Sequence, residues 1–266
     1  MTQAEKGRAF RALHERDGAF IIPNPWDAGT AKILAHVGFE ALATTSMGYA
    51  FSTGRRDMTL SREETLAYAA AVVQATDLPV SADLEDGFED PAETIRAAGA
   101  AGLVGGSIED ATGIADEPIY RFEEAVDRVR AAVAAARALP IPFLLTARAE
   151  NYLHRRPDLA DTIRRLQLFQ EAGADVLYAP GLTTREEIAE VVRSVDRPVN
   201  VVMGLRGVQL SLAELSALGV KRVSVGSSLA RTALGAFVRA AREMREKGTF
   251  SYARDAVTPA EMNLIF

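Results

Sequence analysis

Eight times along this chain a short run rich in Val, Ile and Leu is followed by an amphipathic helical stretch, at a spacing of about thirty residues. The apolar runs are Ala19–Pro23, Ala41–Thr45, Val80–Glu85, Leu103–Glu109, Phe143–Arg148, Val176–Ala179, Val199–Met203 and Arg222–Val225. Unbroken apolar runs belong to strands buried on both faces, so the sheet they form is parallel, with the helices as crossovers. At 266 residues a closed (β/α)₈ TIM barrel suits eight such units better than an open doubly wound sheet. The expected organisation is one α/β domain over 1–266, with a helical C-terminal extension from about residue 228.

Helix punctuation agrees. Ser61 with Glu64 and Thr184 with Glu187 have capping-box spacing, Ser211 caps the helix before Gly219, and Asp90 precedes Pro91 as a cap. Gly38, Gly102, Gly173 and Gly219 close helices. Composition narrows the function classes. A net charge of −6 without a Lys/Arg block argues against a nucleic-acid surface. No window approaches the roughly eighteen apolar residues of a membrane span. Met1–Lys6 lacks the start of a signal peptide, and the cytoplasm is the expected location. The absence of cysteine excludes disulfides, thiolate metal sites and a cysteine nucleophile.

In such barrels the active site lies at the C-terminal ends of the strands. The exits supply Asn24, Trp26 and Asp27; Thr45, Ser46 and Gly48, with Asp57 beyond; Asp83 and Glu85; Glu109 and Asp110; Arg148, Glu150, Asn151 and His154; Asn200; and Ser224 with Gly226, Ser227 and Ser228. Within Pro79–Gly87, Asp83 and Glu85 fall on one face of a strand and repel each other unless a cation or a shared proton compensates. The alternative is a strand running out into a solvated acidic turn. With Glu109 in the same mouth, a hard divalent ion held by oxygen ligands is coherent, and Arg148 is left for an anionic substrate. His154 is a candidate general acid or base, whereas His14 and His36 lie in helical stretches as surface or packing residues. Val225–Ser228 could instead cradle a phosphate, or be a tight turn.

Asn24–Asp27, Thr44–Ser46, Arg56–Asp57, Ala82–Gly87, Ser107–Asp110, Thr146–Glu150 and Val223–Gly226 occur in an order and spacing that resembles the isocitrate lyase/phosphoenolpyruvate mutase superfamily over nearly the whole chain. The resemblance implies a (β/α)₈ barrel whose last helix is exchanged between subunits, in a dimer or dimer of dimers. It implies Mg²⁺, with Mn²⁺ as the alternative, near Asp83, Glu85 and Glu109 and partly held through water. Asp57 would lie nearby, Thr45, Ser46 and Met47 would form a carboxylate-binding turn, and Arg148 would bind substrate. Asn24 is a further substrate-binding candidate, and Asp57, Arg148 and His154 are the catalytic candidates. The family's chemistry proceeds through the enolate of a 2-oxo acid. Two departures matter: the loop Ala111–Tyr120 lacks the Cys, Lys and His of the lyase gating loop, and Glu85 stands where Asp is frequent. The reading is a Mg²⁺-dependent carbon–carbon lyase or decarboxylase for a small 2-oxo or 2-hydroxy di- or tricarboxylate. The alternatives are a phosphonopyruvate-type mutase or hydrolase and a carboxylate-binding barrel without turnover. No nucleic-acid or membrane partner is expected.

Overall fold

Each apolar run becomes one parallel strand, and a helix follows every strand. The computed structural model describes residues 1–266 apart from Arg206 and Val208. Helix α1 (Gln3–Glu15) leads into β1 (Phe20–Ile22), α2 (Ala28–Val37), β2 (Leu42–Ala43), α3 (Ser46–Ser52) and α4 (Arg62–Gln74). Then come β3 (Val80–Asp83), α5 (Pro91–Ala100), β4 (Gly105–Glu109), α6 (Phe122–Ala138), β5 (Leu144–Arg148) and α7 (Leu159–Glu171). The remainder is β6 (Val176–Tyr178), α8 (Arg185–Arg193), β7 (Val199–Val202), α9 (Leu212–Ala217), β8 (Arg222–Ser224), α10 (Ser228–Lys247), a 3₁₀ turn (Ser251–Asp255) and α11 (Pro259–Ile265).

The strands pair in parallel in the order β1-β8-β7-β6-β5-β4-β3-β2. Between the end strands the Ala43 N–H donates to the Pro23 carbonyl at 3.1 Å, which brings the sheet round to a nearly closed (β/α)₈ barrel. The expected caps form: Ser61, Thr184 and Ser211 each accept from the residue three positions on, whose Glu returns the bond, and Asp90 caps α5. Among the described residues no helix is long and apolar enough to cross a membrane.

Helix α1 plugs the N-terminal end of the barrel. Phe10, Leu13, Phe20, Ile22, Leu144 and Val176 form one buried cluster there. Gly105 makes room for it, since a Cβ at that position would stand 2.8 Å from the Phe10 ring. The opposite end is left open by short strands: β6, β7 and β8 stop at Tyr178, Val202 and Ser224, one residue before the apolar runs end. Helix α3 is an element the apolar pattern does not announce. It starts where the Thr45 hydroxyl accepts from the Gly48 N–H at 3.3 Å. At the C-terminus, α10 buries only Ala230, and α11 turns back so that Phe266 lies beside Lys32 and Gly29 of α2.

Candidate active site

The strand exits open into a cavity of about 690 Å³. Its lining includes Asn24, Thr45, Ser46, Met47, Asp57, Asp83, Glu85, Glu109, Glu150, Arg148 and His154. Every residue expected to hold the metal, bind substrate or move a proton therefore lines one cavity. Trp26, Asp27, Gly48, Asp110, Asn151 and Ser228 do not line it. Asp27 caps α2 by accepting from the Thr30 N–H at 2.7 Å. Asp110 turns beneath the mouth, where it accepts from the Glu150 N–H at 2.8 Å and pairs with Arg165 at 3.1 Å. Burial pushes its carboxyl up to about 7.

β3 ends at Asp83, two residues short of the run expected from the sequence, so Glu85 reaches the cavity from the turn beyond the strand rather than by strand alternation. Asp83 and Glu85 line the cavity while Leu84 is fully buried. The chain leaves β3 through a left-handed backbone at Glu85, with φ of 51°, which an acidic residue adopts only at a cost. β4 and β5 add Glu109 and Arg148, which are register partners. Arg148 donates from Nη1 to Asp83 at 2.8 Å and from Nε to Glu150 at 2.9 Å, and its Nη2 lies 3.0 Å from Glu109 and 2.8 Å from Glu150. A guanidinium has five N–H protons, so one on Nη1 is left over. Rather than standing free for substrate, as the sequence suggested, Arg148 ties three carboxylates together. It also stacks over the Tyr178 ring, 5.3 Å from the centroid.

Glu85 and Asp57 are the acids Arg148 does not pair with; for Glu85 the consequence is large. Its carboxyl is pushed up to about 8, first by burial and then by Asp83, although Ser46 and Arg148 oppose the shift. Burial likewise holds Glu109 well above the carboxylate range, against the pull of Arg148. Asp57 is raised by burial and by Asp83. Five carboxylates (Asp57, Asp83, Glu85, Glu109, Glu150) and three guanidiniums (Arg148, Arg155, Arg222) line the cavity. Of the three guanidiniums only Arg148 pairs with these acids among the described residues, so when ionised they hold an excess of negative charge that favours a bound cation. Among the described residues no three His, Asp or Glu side chains form a ready-made ligand shell. The donors that line the cavity are carboxylate oxygens, the kind a hard ion such as Mg²⁺ takes.

The other expected substrate contacts are partly occupied. Ser46 donates its hydroxyl to Asp83 at 3.0 Å, and the Thr45 hydroxyl is the cap of α3. Asn24 donates to the Thr44 carbonyl and accepts from the Val225 and Gly226 N–H groups, each at 2.9 Å, so it stitches β1 to the exits on both sides. Asn200 donates to Ser224 at 3.0 Å and accepts from Arg222 at 2.9 Å. The loop after β4 closes on itself through an Ala111–Ile119 bridge, and it turns Ile114, Ala115 and Pro118 to the cavity.

Three ionisable lining residues escaped the sequence reading: Tyr178, Arg155 and Arg222. Tyr178 ends β6, so the strand-exit rule would have found it had that exit been included. Arg222 begins β8 and reaches the cavity from inside the barrel, which no exit rule reports.

The family model described as phosphoenolpyruvate phosphomutase matches residues 10–245. The crystal structure of a candidate lyase/mutase from Burkholderia cenocepacia J2315 is 64% identical with a TM-score of 0.96, over 98% of this chain and 95% of that one. The 2,3-dimethylmalate lyase of Eubacterium barkeri is 30% identical, over 79% of this chain and 76% of its own. A phosphonopyruvate hydrolase crystallised with oxalate and Mg²⁺ is 25% identical with a TM-score of 0.87, over 100% of this chain and 95% of its own.

Proposed function

Because the chain belongs to the phosphoenolpyruvate phosphomutase family, within the isocitrate lyase/phosphoenolpyruvate mutase superfamily, we propose that it is a Mg²⁺-dependent lyase or decarboxylase for a small 2-oxo or 2-hydroxy di- or tricarboxylate. The observation that carries this reading is the crowding of Asp83, Glu85 and Glu109 in one cavity, where burial and neighbouring acids hold Glu85 and Glu109 above the usual carboxylate range unless a cation joins them. Asp83, Glu85 and Glu109 would hold a divalent ion there, which would supply positive charge to the substrate's C1 carboxylate and C2 oxygen.

The chain's own groups do the rest. Arg148 fixes Asp83, Glu109 and Glu150 in place and keeps one Nη1 proton for a substrate oxygen. The Thr45–Met47 turn at the start of α3 borders the same space and supports the substrate carboxylate. For a 2-hydroxy acid, Asp57 accepts the hydroxyl proton, and its raised affinity for protons suits it as a base. His154 returns a proton to the carbon that receives the bond's electron pair. Ile114, Ala115 and Pro118 put an apolar cover over a carbanionic species that water would otherwise quench. The loop's lack of Lys, Cys and His counts against phosphonate chemistry and equally against cleavage of the isocitrate type.

The test is pyruvate release from oxaloacetate, 2-methylmalate and 2,3-dimethylmalate with and without Mg²⁺. Metal-dependent release is expected, with Glu109→Gln lowering it at least about a hundredfold. The metal-free variant should unfold no earlier than the wild type, because the substitution removes a buried acid. Turnover of phosphonopyruvate alone would move the protein to the mutase and hydrolase branch. Oxalate and Mg²⁺ raising the unfolding temperature without any turnover would make it a binding barrel.

A further inference from the structure

The cavity has a second cationic feature at its rim, away from the acids. After β5 the chain makes a turn in which the His154 N–H donates to the Glu150 carbonyl at 3.2 Å and the Arg156 N–H to the Asn151 carbonyl at 2.9 Å. Arg155 sits in this turn with a left-handed backbone, φ of 59°, where Gly or Asn would be relaxed. It lines the cavity, is exposed, and makes no ion pair with any described residue. Arg155 follows Glu150, itself bound to Arg148, by five residues, at the far end of this turn.

The turn is braced from below. Asn151 donates to Asp161, which Arg165 holds at 2.9 Å while also pairing with the Asp110 that anchors the Glu150 N–H. From the side, the Tyr152 hydroxyl donates to Glu187 at 2.9 Å. A bulkier residue at Gly181 would collide with this turn, its Cβ reaching 2.9 Å from that of Tyr152. A rigid turn that spends backbone strain to display an unpaired guanidinium over the cavity is a positioned anion contact.

We propose that Arg155 determines specificity by holding the substrate carboxylate farthest from the acidic cluster. This deepens the lyase reading and rests on it. The chemistry then selects a reaction type. In a 2-hydroxy dicarboxylate the hydroxyl proton leaves to a base, C2 becomes a carbonyl carbon, the C2–C3 bond breaks, and its electron pair passes into the C3–C4 carboxylate as an enolate. A proton then adds to C3. Arg155 faces the charge that develops on the C4 oxygens, and so favours this step. The same guanidinium would hinder loss of C4 as CO₂, because that carboxylate sheds its charge on leaving. The inference therefore points to cleavage with both carboxylates retained.

The test compares 2-methylmalate with 2-hydroxy-2-methylbutanoate, which differ only in a terminal carboxylate or methyl group. Oxalate serves as the probe of the acidic end, and all three are titrated calorimetrically with Mg²⁺ present. Wild type should bind the dicarboxylate about tenfold more tightly than the monocarboxylate, the size of one part-exposed charged contact. Arg155→Asn, which tolerates the left-handed backbone, should abolish that preference and leave oxalate binding unchanged, while Arg155→Lys should restore part of it. An undiminished preference in Arg155→Asn, with oxalate still bound, overturns the role of Arg155 alone. Failure of wild type to bind oxalate with Mg²⁺ overturns the lyase reading and this inference with it.

Discussion

His14 shows how far a barrel interior can move one side chain from its solution behaviour. Its Nδ1 lies 2.8 Å from the Phe10 carbonyl, so that nitrogen carries the proton and Nε2 faces the Arg222 guanidinium 3.5 Å away. Burial, with Arg222, Lys221 and Arg11 adding to it, lowers the imidazole to about 3. The unfolded chain takes up a proton below about 6.5, while the folded one refuses it down to about 3, so stability falls as pH falls through that window. Between pH 6.5 and 4.5 the advantage of wild type over His14→Gln in urea unfolding should shrink by roughly 2 kcal/mol. A constant difference across those pH values would show that His14 protonates freely in the fold. In sequence His14 reads only as a residue on a helical stretch, because the guanidinium it faces belongs to a strand more than two hundred positions away.

At the scale of elements, most of the barrel is written locally. The caps at Ser61, Asp90, Thr184 and Ser211 each need only a side chain and a backbone N–H three residues on, and each forms where the spacing places it. Helix α3 is different: seven residues make it too short for an apolar period, and its start depends on Thr45 reaching the end of β2. The plug helix α1 depends on contact as well. A Cβ on Gly7 would stand 2.4 Å from the Pro142 carbonyl oxygen, so the helix lies almost on the backbone that enters β5. Gly7→Ala should cost about 1–3 kcal/mol, because α1 must lift from that backbone, despite the better helix propensity of Ala. Chemical denaturation would detect the loss, and an unchanged midpoint would mean that α1 floats on the barrel.

At the scale of the whole molecule, the C-terminal region stands apart. Leu229, Leu234, Phe237 and Val238 of α10 are exposed, Phe237 by 72%, and Leu264 in α11 by 79%. Side chains of that size along a twenty-residue helix form a larger apolar face than a monomer ordinarily leaves in water. We expect a second copy of the chain to cover it. Sedimentation should give a dimer or larger, and Phe237→Asp should shift it toward monomer with the barrel's circular dichroism intact; a wild-type monomer would refute the expectation. What the sequence determined by itself was whatever a period or a short spacing encodes: eight parallel strands, their crossover helices, the caps, and the acids that reach the strand exits. Asp83 and Glu85 were legible as neighbours in one mouth from their place at a strand exit, although the turn after β3, not strand alternation, brings Glu85 to the cavity. Tertiary structure alone decided how those charges share partners. Arg148 binds three carboxylates and leaves Glu85 unpaired, Asp110 turns away to Arg165, and Arg155 is lifted over the cavity by a turn braced from α7 and α8. Those choices depend on distances between segments tens of residues apart, and on how much water the packing leaves around each charge. No local pattern in the chain carries either quantity.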